Sequence, residues 1–289
     1  MRVLVLGAGG MLGNAMARVL FEYEGLEVFG TTRSGDVGRF FPAKILECLM
    51  TGIDVENSNA LASVFSRIRP NIVINCVGLI KQLAEASDPL HSISVNALLP
   101  HRLARLCELI GARLVHISTD CVFSGQKGGY EETDPADAKD LYGMSKYLGE
   151  VHYPNSITLR TSIIGHELNS SNGLIGWFLA QQGQCRGFTR AVFTGIPTVV
   201  LAQIVGDVII PDSELHGLYH IAADPIAKFD LLKLVADTYG KSIEIIPDDS
   251  LVINRSLNPK RFRVATGYVV PEWPELIRAM HSYYLKVVN

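Results

Sequence analysis

A glycine-rich turn near the start of the chain constrains the fold more than any other feature. Gly7, Gly10 and Gly13 follow the apolar run Arg2–Leu6 and open a segment of helical length and pattern, Met11–Phe21. Glycines at this spacing permit a tight strand-to-helix turn and a close backbone approach to a pyrophosphate, which the helix N-terminus favours. The pattern therefore predicts a dinucleotide-binding turn. Its candidate cofactor-binding residues are Gly7, Gly10, Met11, Leu12 and Gly13.

Apolar strands alternate with helices through the first half of the chain, and this pattern predicts a parallel sheet covered on both faces. The predicted strands are Arg2–Leu6, Leu26–Thr31, one ending near Gly52–Asp54, Ile72–Val77, Arg113–Ser118 and Ile157–Arg160. We therefore expect an α/β fold: a Rossmann doubly wound parallel sheet with helices on both faces and a smaller C-terminal substrate-binding lobe. The expected dinucleotide-binding domain is 1–165 plus about 194–223, and the lobe is about 166–193 and 224–289.

Composition and charge exclude several other classes of protein. A hydrophobic share of 48% is too high for a disordered chain, and a net charge of −3 argues against binding to nucleic acid. No apolar run reaches the length of a bilayer span, and the N-terminus lacks a convincing signal-cleavage site. The five cysteines are scattered and form no CxxC pair, which predicts a cytoplasmic protein. The histidines show no metal-ligand spacing, so we expect no catalytic metal. We expect neither nucleic acid nor a membrane as a partner.

The end of the second strand distinguishes the two nicotinamide cofactors. An NAD site usually has an acidic residue there for the ribose hydroxyls, whereas a 2′-phosphate favours a cation. The strand here ends in Gly30–Ser34, which contains Arg33 and no acid. A guanidinium can hold a phosphate with two parallel hydrogen bonds. We therefore expect NADP(H) to be preferred, with NAD(H) as the other usable cofactor.

Two later strand ends supply further candidates for the cofactor site. Asp54 and Val55 follow the third strand, and Asp54 can accept a hydrogen bond from the adenine amino group or act only as a turn or cap residue. The fourth strand ends in residues with small side chains, which would let the cofactor ribose approach the backbone. These residues are Cys76, Val77 and Gly78.

A tyrosine and a lysine four residues apart are the candidate catalytic pair. Tyr142 and Lys146 lie on one face if the segment is helical, so the ammonium can sit near the phenol. Lowering the tyrosine pKa from about 10 towards 7 requires about 4 kcal/mol of preference for the phenolate, which a nearby cation can supply. Thr119 ends the fifth strand. If Tyr142 protonates the carbonyl oxygen of a substrate, the Thr119 hydroxyl can hydrogen-bond that same oxygen.

In the order and spacing of these motifs, the chain resembles the extended short-chain dehydrogenase/reductase superfamily. Within it, the chain looks like the branch typified by dTDP-4-dehydrorhamnose reductase, strongly over the first 165 residues and loosely afterwards. The stretches that carry this likeness are Ser118–Gly125, Tyr142–Lys146, Gly149-Glu150, Leu159–Ser162, Val95–Ala97, Gly217–His220 and Arg255–Asn258.

The resemblance implies NADPH-dependent reduction of the 4-keto group of a nucleotide-diphosphate 6-deoxy-4-hexulose, for deoxysugar and cell-surface polysaccharide biosynthesis. It implies catalytic roles for Thr119, Tyr142 and Lys146, and places Asn96 at the cofactor. The substrate partner would be a nucleotide-diphosphate sugar. Relatives are often dimers, so a homodimer is also expected.

Departures from the family pattern fall where relatives line the sugar. Rhamnose-forming members carry a tyrosine at Cys121 and a tryptophan at Ile163. The smaller Cys121 could admit a bulkier substituent on the sugar, such as an N-acetyl group, or it could be inert packing below the site. Relatives also have a threonine about where Ile80 stands, and the nearby Lys81 could serve a UDP-linked acetamido sugar. Arg190 and Arg255 can pair with the substrate pyrophosphate, or they can be ordinary charged residues on the surface. The candidate substrate residues are Lys81, Asp120, Cys121, Ile163, Arg190 and Arg255.

Three other functions compete with this reading. A 4,6-dehydratase would carry a glutamate as general base where this chain has Cys121. A nucleotide-sugar epimerase that retains NAD is disfavoured by Arg33 and by the missing acid on the second strand. A non-catalytic NADP-binding regulatory subunit is the third, because the regulatory subunit of methionine adenosyltransferase resembles the same branch. Consumption of NADPH with 4-keto nucleotide sugars separates an enzyme from a scaffold.

Overall fold

The computed structural model describes residues 1–80, 87–168 and 170–288. The strands are β1 (Arg2–Leu6), β2 (Glu27–Thr31), β3 (Leu49–Met50), β4 (Ile72–Asn75), β5 (Arg113–Thr119), β6 (Ser156–Thr161), β7 (Ile163–Ile164), β8 (Gln184–Phe188), β9 (Ala191–Phe193), β10 (Ile196–Pro197), β11 (Gly217–His220), β12 (Ile226–Ala227), β13 (Glu244–Asp248) and β14 (Ile253–Asn254). The helices are α1 (Met11–Phe21), α2 (Ala43–Leu46), α3 (Ser58–Ile68), α4 (Pro89–Ser92), α5 (Leu99–Ile110), α6 (Leu141–Leu148), α7 (Leu174–Ala180), α8 (Thr198–Ile204), α9 (Lys228–Tyr239), α10 (Lys260–Thr266) and α11 (Trp273–Val288).

A seven-stranded sheet in the order β11-β6-β5-β4-β1-β2-β3 is the centre of the fold. β1 pairs in parallel with β2 on one side and with β4 on the other, and β4 pairs in parallel with β5. The strand order therefore reverses between β1 and β4, which is the point where doubly wound sheets bind ligands. The predicted α/β fold with a Rossmann-type parallel sheet is confirmed.

Residues of the central strands are buried because helices cover them. Leu4 and Leu6 of β1, Val73 of β4 and Leu114 of β5 are fully buried in one apolar cluster, to which α5 contributes Leu103. Burying a side chain of this size stabilises the fold by roughly 1.5–3 kcal/mol. Continuous burial on both faces explains why these strands are apolar runs and do not alternate with polar residues.

Helix α3 shows how local sequence sets the ends of an element. The side chain of Asn57 accepts hydrogen bonds from the N–H groups of Asn59 and Ala60, which caps the first turn. The helix ends at Arg69, whose φ of 50° is left-handed. The Asn57 cap directly precedes the first helical residue, so the start of this helix could be predicted without tertiary information.

The third strand is shorter than the sequence indicated. We expected it to end near Gly52–Asp54, but β3 ends at Met50 and pairs with β2 over two residues. The side chain of Leu49 occupies the space above Gly30, where an added Cβ would lie 2.6 Å from it. Gly52 then adopts a left-handed φ of 73°, and the regular pairing with β2 is interrupted there, although the N–H of Ile53 still donates to the Thr32 carbonyl over 3.0 Å.

Contacts divide the chain into two compact units. The first comprises Met1–Thr119, Lys139–Leu159 and Ala202–Leu218. The second comprises Asp120–Ala138, Arg160–Leu201 and Tyr219–Asn289. The domain limits expected from the sequence, including a substrate-binding lobe, stay a prediction. Within the described residues, the helices are too short or too polar to cross a membrane.

The second unit contains small sheets of its own. β8 pairs in parallel with β13, and β9 lies between β12 and β14. The indole N–H of Trp273, at the start of α11, donates to the carbonyl oxygen of Asp224 over 2.7 Å. A hydroxyl–imidazole contact of 2.8 Å joins Tyr239 of α9 to His166. The first of these contacts fixes the start of the terminal helix within this unit, and the second fixes the end of α9.

Candidate active site

The turn between β1 and α1 has a geometry that only glycine fits. Gly7 has a left-handed φ of 81°, and the N–H of Gly10 donates to its carbonyl oxygen over 3.0 Å. A Cβ on Gly13 would overlap that same carbonyl oxygen, so the helix can approach the turn only without a side chain there. Gly10 is the N-cap and offers no side chain to cap the first turn around Met11 and Leu12. The N–H groups of this turn therefore suit an anionic group such as a pyrophosphate.

The end of β4 lies beside this glycine turn. A Cβ on Gly7 would lie 3.0 Å from Cγ2 of Val77, so the two strand ends are in contact. The N–H of Val77 donates to Oδ1 of Asn75 over 3.1 Å, which shapes the segment that contains Cys76 and Gly78. The structure thus brings together the two glycine-containing segments expected at the cofactor.

The residues expected around the adenosine end are less closely constrained. Arg33 is exposed in the loop after β2, next to Thr32, whose hydroxyl donates to the carbonyl oxygen of Ser34 over 2.8 Å. The Asp54 carboxylate is exposed and accepts the N–H of Glu56 over 2.9 Å. Asp54 therefore performs the turn role that the sequence left open, and its contact with adenine stays a prediction. Val55 is half-buried and packs against the central apolar cluster.

The three candidate catalytic residues belong to the first unit. Thr119 is the buried last residue of β5, and Tyr142 is the half-buried second residue of α6. Lys146 is buried one turn further along α6, and its Nζ donates to the carbonyl oxygen of Ile117 over 2.8 Å. A Cβ on Gly78 would lie 3.8 Å from the same Nζ. The ammonium group is therefore held at the carboxyl ends of β4 and β5, and its hydrogen-bond partner Ile117 lies two residues before Thr119.

Helix α6 begins and ends at residues that fix its position. Asp140 is the N-cap, and its Oδ1 accepts the N–H of Gly143 over 3.0 Å. At the other end, a Cβ on Gly149 would overlap the carbonyl oxygen of Asn96, so glycine is required for this close approach. The Asp140 cap at one end of α6 and the close contact of Gly149 at the other thus fix the helix that carries Tyr142 and Lys146.

Asn96 connects this helix to the segment after β4. Its Oδ1 accepts the N–H of Leu79 over 2.9 Å, and its Nδ2 donates to the Leu79 carbonyl over 3.2 Å and to Oγ of Ser145 over 3.3 Å. It lies in a π-helical segment, Ile93–Leu98, between α4 and α5. The resemblance alone implies a place for Asn96 at the cofactor, and that place stays a prediction. In the structure Asn96 braces the helix that carries Tyr142 and Lys146.

Burial sets the charge properties of the lysine. Its pKa is lowered from the usual value to about 8, mainly because burial penalises the ammonium form. The neighbouring thiol of Cys76 has its pKa raised to about 12, again by burial. At neutral pH the lysine therefore remains largely protonated beside a neutral thiol. A cation one helical turn from a phenol favours ionisation of that phenol.

Two buried groups at this site, Glu150 and His116, had no chemistry predicted from the sequence. Oγ of Ser118 donates to Oε1 of Glu150 over 2.7 Å, and both residues are buried. His116 is fully buried, and its Nδ1 lies 3.2 Å from Nδ2 of Asn75. The available signal was spacing, because Glu150 follows Lys146 by the same four residues that separate Lys146 from Tyr142.

Most of the expected substrate residues belong to the second unit. Arg255 is half-buried, and its Nε donates to the carbonyl oxygen of Phe123 over 2.9 Å, which places it beside the segment of Asp120 and Cys121. Asp120 is buried, Cys121 and Ile163 are half-buried, and Arg190 is exposed. Lys81 lies outside the described residues.

Arg190 and Arg255 lie on neighbouring chain segments of the second unit. The N–H of Ile253 donates to the Arg190 carbonyl over 3.1 Å, and the N–H of Arg255 donates to the Val192 carbonyl over 3.0 Å. Arg190 therefore directly precedes β9, Arg255 directly follows β14, and the backbones of these two strands are paired. Their contact with a pyrophosphate stays a prediction.

A domain of this fold with these motifs belongs to the dinucleotide-binding α/β proteins. The chain belongs to the RmlD substrate binding domain family, whose profile matches residues 1–258. This confirms the resemblance to the dTDP-4-dehydrorhamnose reductase branch of the extended short-chain dehydrogenase/reductases.

Three curated relatives illustrate the range of the family. The dTDP-4-dehydrorhamnose reductase of Aggregatibacter actinomycetemcomitans is 25% identical over 98% of this chain and 99% of its own length. A probable low-salt glycan biosynthesis reductase of Haloferax volcanii is 26% identical over 89% of this chain and 84% of its own. The methionine adenosyltransferase 2 subunit beta of Danio rerio is 25% identical over 85% of this chain and 76% of its own.

Two solved structures share the fold over nearly the whole chain. A dTDP-4-dehydrorhamnose reductase from Clostridium acetobutylicum has a TM-score of 0.82 at 23% identity and covers 99% of this chain and 100% of its own. The Bacillus anthracis enzyme of the same name, solved in complex with NADP, has a TM-score of 0.78 at 22% identity, covering 98% of this chain and 99% of its own.

Proposed function

We propose that the protein is an NADPH-dependent oxidoreductase that reduces the 4-keto group of a nucleotide-diphosphate 6-deoxy-4-hexulose. The observation that carries this proposal is the buried Lys146, which is fastened to the Ile117 carbonyl beside Thr119 and lies one helical turn from Tyr142. The names of the reductase relatives support the class of reaction. The glycine turn of Gly7 and Gly13 supports a dinucleotide as the reductant.

In this proposal, each residue of the first unit has a separate task. NADPH, when bound, supplies the hydride that adds to the keto carbon. Tyr142 donates its phenolic proton to the carbonyl oxygen as negative charge develops there, and the hydroxyl of Thr119 donates a hydrogen bond to the same oxygen. Lys146 lowers the pKa of the phenol by its positive charge, which makes the proton easier to release near neutral pH.

The cofactor preference rests on the exposed Arg33 after β2. Its guanidinium is positioned on the loop that follows the second strand, and no acid lies between Gly30 and Ser34. A 2′-phosphate would gain a charge-assisted contact here, whereas the ribose hydroxyls of NAD would lack their usual carboxylate partner. NADP(H) is therefore the preferred cofactor in this proposal, and NAD(H) is the weaker one.

The sugar is assigned by class only. We propose that Asp120, Cys121, Ile163, Arg190 and Arg255, with Lys81, contact the sugar or its pyrophosphate. The half-buried Cys121 leaves more room than the tyrosine that the family resemblance implies, which suits a UDP-linked acetamido sugar. A place in cell-surface polysaccharide synthesis, a cytoplasmic location and a homodimer belong to the same proposal.

A second candidate function is a non-catalytic NADP-binding regulatory subunit. The observation that favours it is the similarity to the Danio rerio methionine adenosyltransferase subunit. An epimerase is less consistent with the loop of Arg33, which offers no carboxylate to retain NAD.

The test is NADPH oxidation by the purified full chain with 4-keto-6-deoxyhexoses linked to dTDP or UDP, with and without an acetamido group. Turnover of at least one sugar, with the product hydroxyl at C4 identified by NMR, is the expected result. Tight binding of NADPH without oxidation by any sugar would contradict the reductase and favour the regulatory subunit.

A further inference from the structure

A buried carboxylate next to the candidate catalytic helix has no part in the reaction as described. Glu150 follows the end of α6 and is 5% exposed, and its Oε1 accepts a hydrogen bond from Oγ of Ser118 over 2.7 Å. Ser118 is itself 4% exposed. Burying a carboxylate is costly unless it is hydrogen-bonded and paired with an opposite charge.

Lys146 is a buried cation four residues earlier in the chain. Its Nζ donates to the carbonyl oxygen of Ile117, while Glu150 accepts from Ser118, so the two charged groups reach consecutive residues of β5. The N–H of Glu150 donates to the carbonyl oxygen of Tyr147 over 3.1 Å, which continues the helical path beyond Gly149. Residues four apart on such a path share a face. The ammonium and the carboxylate are therefore held on the same side of α6 by one strand.

We propose that Glu150 is a positioning residue whose carboxylate, fastened to β5 through Ser118, is the counter-charge that keeps the buried Lys146 protonated. The link to catalysis rests on the proposed function, since it requires Lys146 to act on Tyr142. The electrostatic pair itself does not depend on the identity of the substrate.

Among the described residues, the other titratable groups on the elements around α6 do not supply the lysine with a negative charge. On the β4 side, burial raises the pKa of the Cys76 thiol to about 12, so it stays neutral through the working pH range. On β5, burial and then Lys146 hold the pKa of His116 well below its usual value, so it is neutral as well. On α4, His91 lies 3.5 Å from a carboxylate oxygen of Glu56. Tyr142 on α6 is the group that the lysine is proposed to serve.

Electrostatics of the lysine agree with this arrangement. Burial lowers the pKa of Lys146 to about 8, and Glu150 is the first of the groups that raise it. A neighbouring opposite charge shifts a pKa by about 1–3 units. Without that carboxylate, the lysine pKa would fall by about one unit into the neutral range, and a large part of the ammonium would be deprotonated near neutral pH.

The direct test is an NMR titration of the lysine side chains in the full-length protein, with the Lys146 signal assigned by Lys146→Arg. In Glu150→Gln, which keeps the shape and an acceptor oxygen, the Lys146 pKa should fall by about one unit. Glu108→Gln, a matched change of an exposed glutamate on α5, should leave it unchanged. An unaltered Lys146 pKa in a folded Glu150→Gln protein would overturn the proposal.

Two further variants separate charge from structure. Ser118→Ala removes the hydrogen bond but keeps the carboxylate, so the Lys146 pKa should move much less than in Glu150→Gln. A shift as large as that of Glu150→Gln would overturn the charge assignment. If Glu150→Gln does not fold, Glu150→Asp decides: withdrawing the carboxylate by one methylene should lower the Lys146 pKa by about half a unit, and no shift would overturn the proposal.

A kinetic measurement connects the pair to the reaction. The alkaline limb of the pH profile for NADPH oxidation should move to lower pH by the same shift that NMR reports for Lys146 in Glu150→Gln. If the protein oxidises no NADPH but the Lys146 pKa still falls, the proposed function fails and the counter-charge stands. If turnover occurs and neither the pKa nor the profile moves, the counter-charge fails and the proposed function stands.

Discussion

The ammonium group of Lys146 donates a hydrogen bond of 2.8 Å to the backbone carbonyl of Ile117. This contact ties α6 to β5 two residues before the strand ends at Thr119, so the candidate catalytic hydroxyl and lysine are part of one buried framework. A lysine fixed in this way loses little further entropy when it acts on a neighbouring phenol.

Replacing Tyr142 by phenylalanine removes only the hydroxyl. Because a positioned acid contributes roughly 10²–10⁴-fold to such a reaction, kcat should fall by that factor while NADPH binding persists. Steady-state kinetics and fluorescence titration of NADPH check the two parts. Tyr147→Phe is the matched control, since Tyr147 is exposed on the same helix and should tolerate the change. Retention of more than about a tenth of kcat, with chemistry rate-limiting, would move the acid to another residue.

Replacing Arg33 by alanine tests the choice of cofactor. The loss of one charge-assisted phosphate contact, worth roughly 1.5–3 kcal/mol, should weaken NADPH binding by about tenfold or more. NADH binding should change little, because NADH lacks the 2′-phosphate. Arg67→Ala, an exposed arginine on α3, is the control. Dissociation constants from fluorescence titration decide the matter, and an equal loss for both cofactors would argue against this role.

Replacing Gly13 by alanine tests the close approach in the glycine turn. The added Cβ would overlap the carbonyl oxygen of Gly7, so α1 must shift, at a cost of roughly 1–3 kcal/mol in the free energy of unfolding. NADPH binding should weaken with it, because the N–H groups of the turn move. Gly38→Ala is the control, since a Cβ there meets nothing within 4 Å. Urea unfolding and cofactor titration that find the two variants alike would contradict the steric argument.

Replacing Cys121 by tyrosine tests whether this position contacts the sugar. If the half-buried cysteine leaves room for a substituent, the larger ring should impair turnover of a 4-keto acetamido-hexose far more than that of an unsubstituted 4-keto-6-deoxyhexose. The measurement is kcat/KM for the two substrates. A uniform loss, or none, would show that position 121 does not distinguish sugars.

A buried histidine makes stability depend on pH in the second unit. The imidazole of His220 lies 3.1 Å from the carbonyl oxygen of Tyr130, and the guanidinium of Arg160 lies 3.4 Å from its other ring nitrogen. Burial, followed by the charge of Arg160, lowers the His220 pKa from 6.5 to about 3. The unfolded chain therefore takes up this proton first, and stability is lost as the pH falls from about 6.5 towards 3.

In His220→Gln that part of the pH dependence should disappear. Between about pH 7 and pH 5, the wild-type protein should lose about 2 kcal/mol more unfolding free energy than the variant does. Urea unfolding of both proteins at each pH provides the comparison, so any constant cost of the substitution cancels. Equal losses in the two proteins would mean that His220 does not set the acid sensitivity.

Several parts of this protein could be predicted from local sequence. The turn of Gly7, Gly10 and Gly13 follows from steric rules that act within a few residues, and the apolar runs of β1, β4 and β5 follow from burial on both faces. The four-residue spacing of Tyr142 and Lys146 places both on one helical face whatever surrounds the helix. These features determine the fold class and the type of chemistry.

Other parts depended on contacts between residues far apart in the chain. β3 stops at Met50, Leu49 packs over Gly30, and Gly52 adopts a left-handed φ that interrupts the regular pairing; none of these features appears in the apolar pattern. The close approach of Gly149 to Asn96 joins two segments that the sequence presents as unrelated.

The sequence by itself determined which residues can bind a dinucleotide and which can move a proton, because those properties depend on side-chain chemistry and on spacing within one turn or helix. Only the tertiary structure decided how those groups are charged. The pKa of Lys146 is set by burial and by Glu150, and the carboxylate is held by Ser118 on a different element. Desolvation and hydrogen bonding act through space, so their effect exists only after the strands and helices have packed.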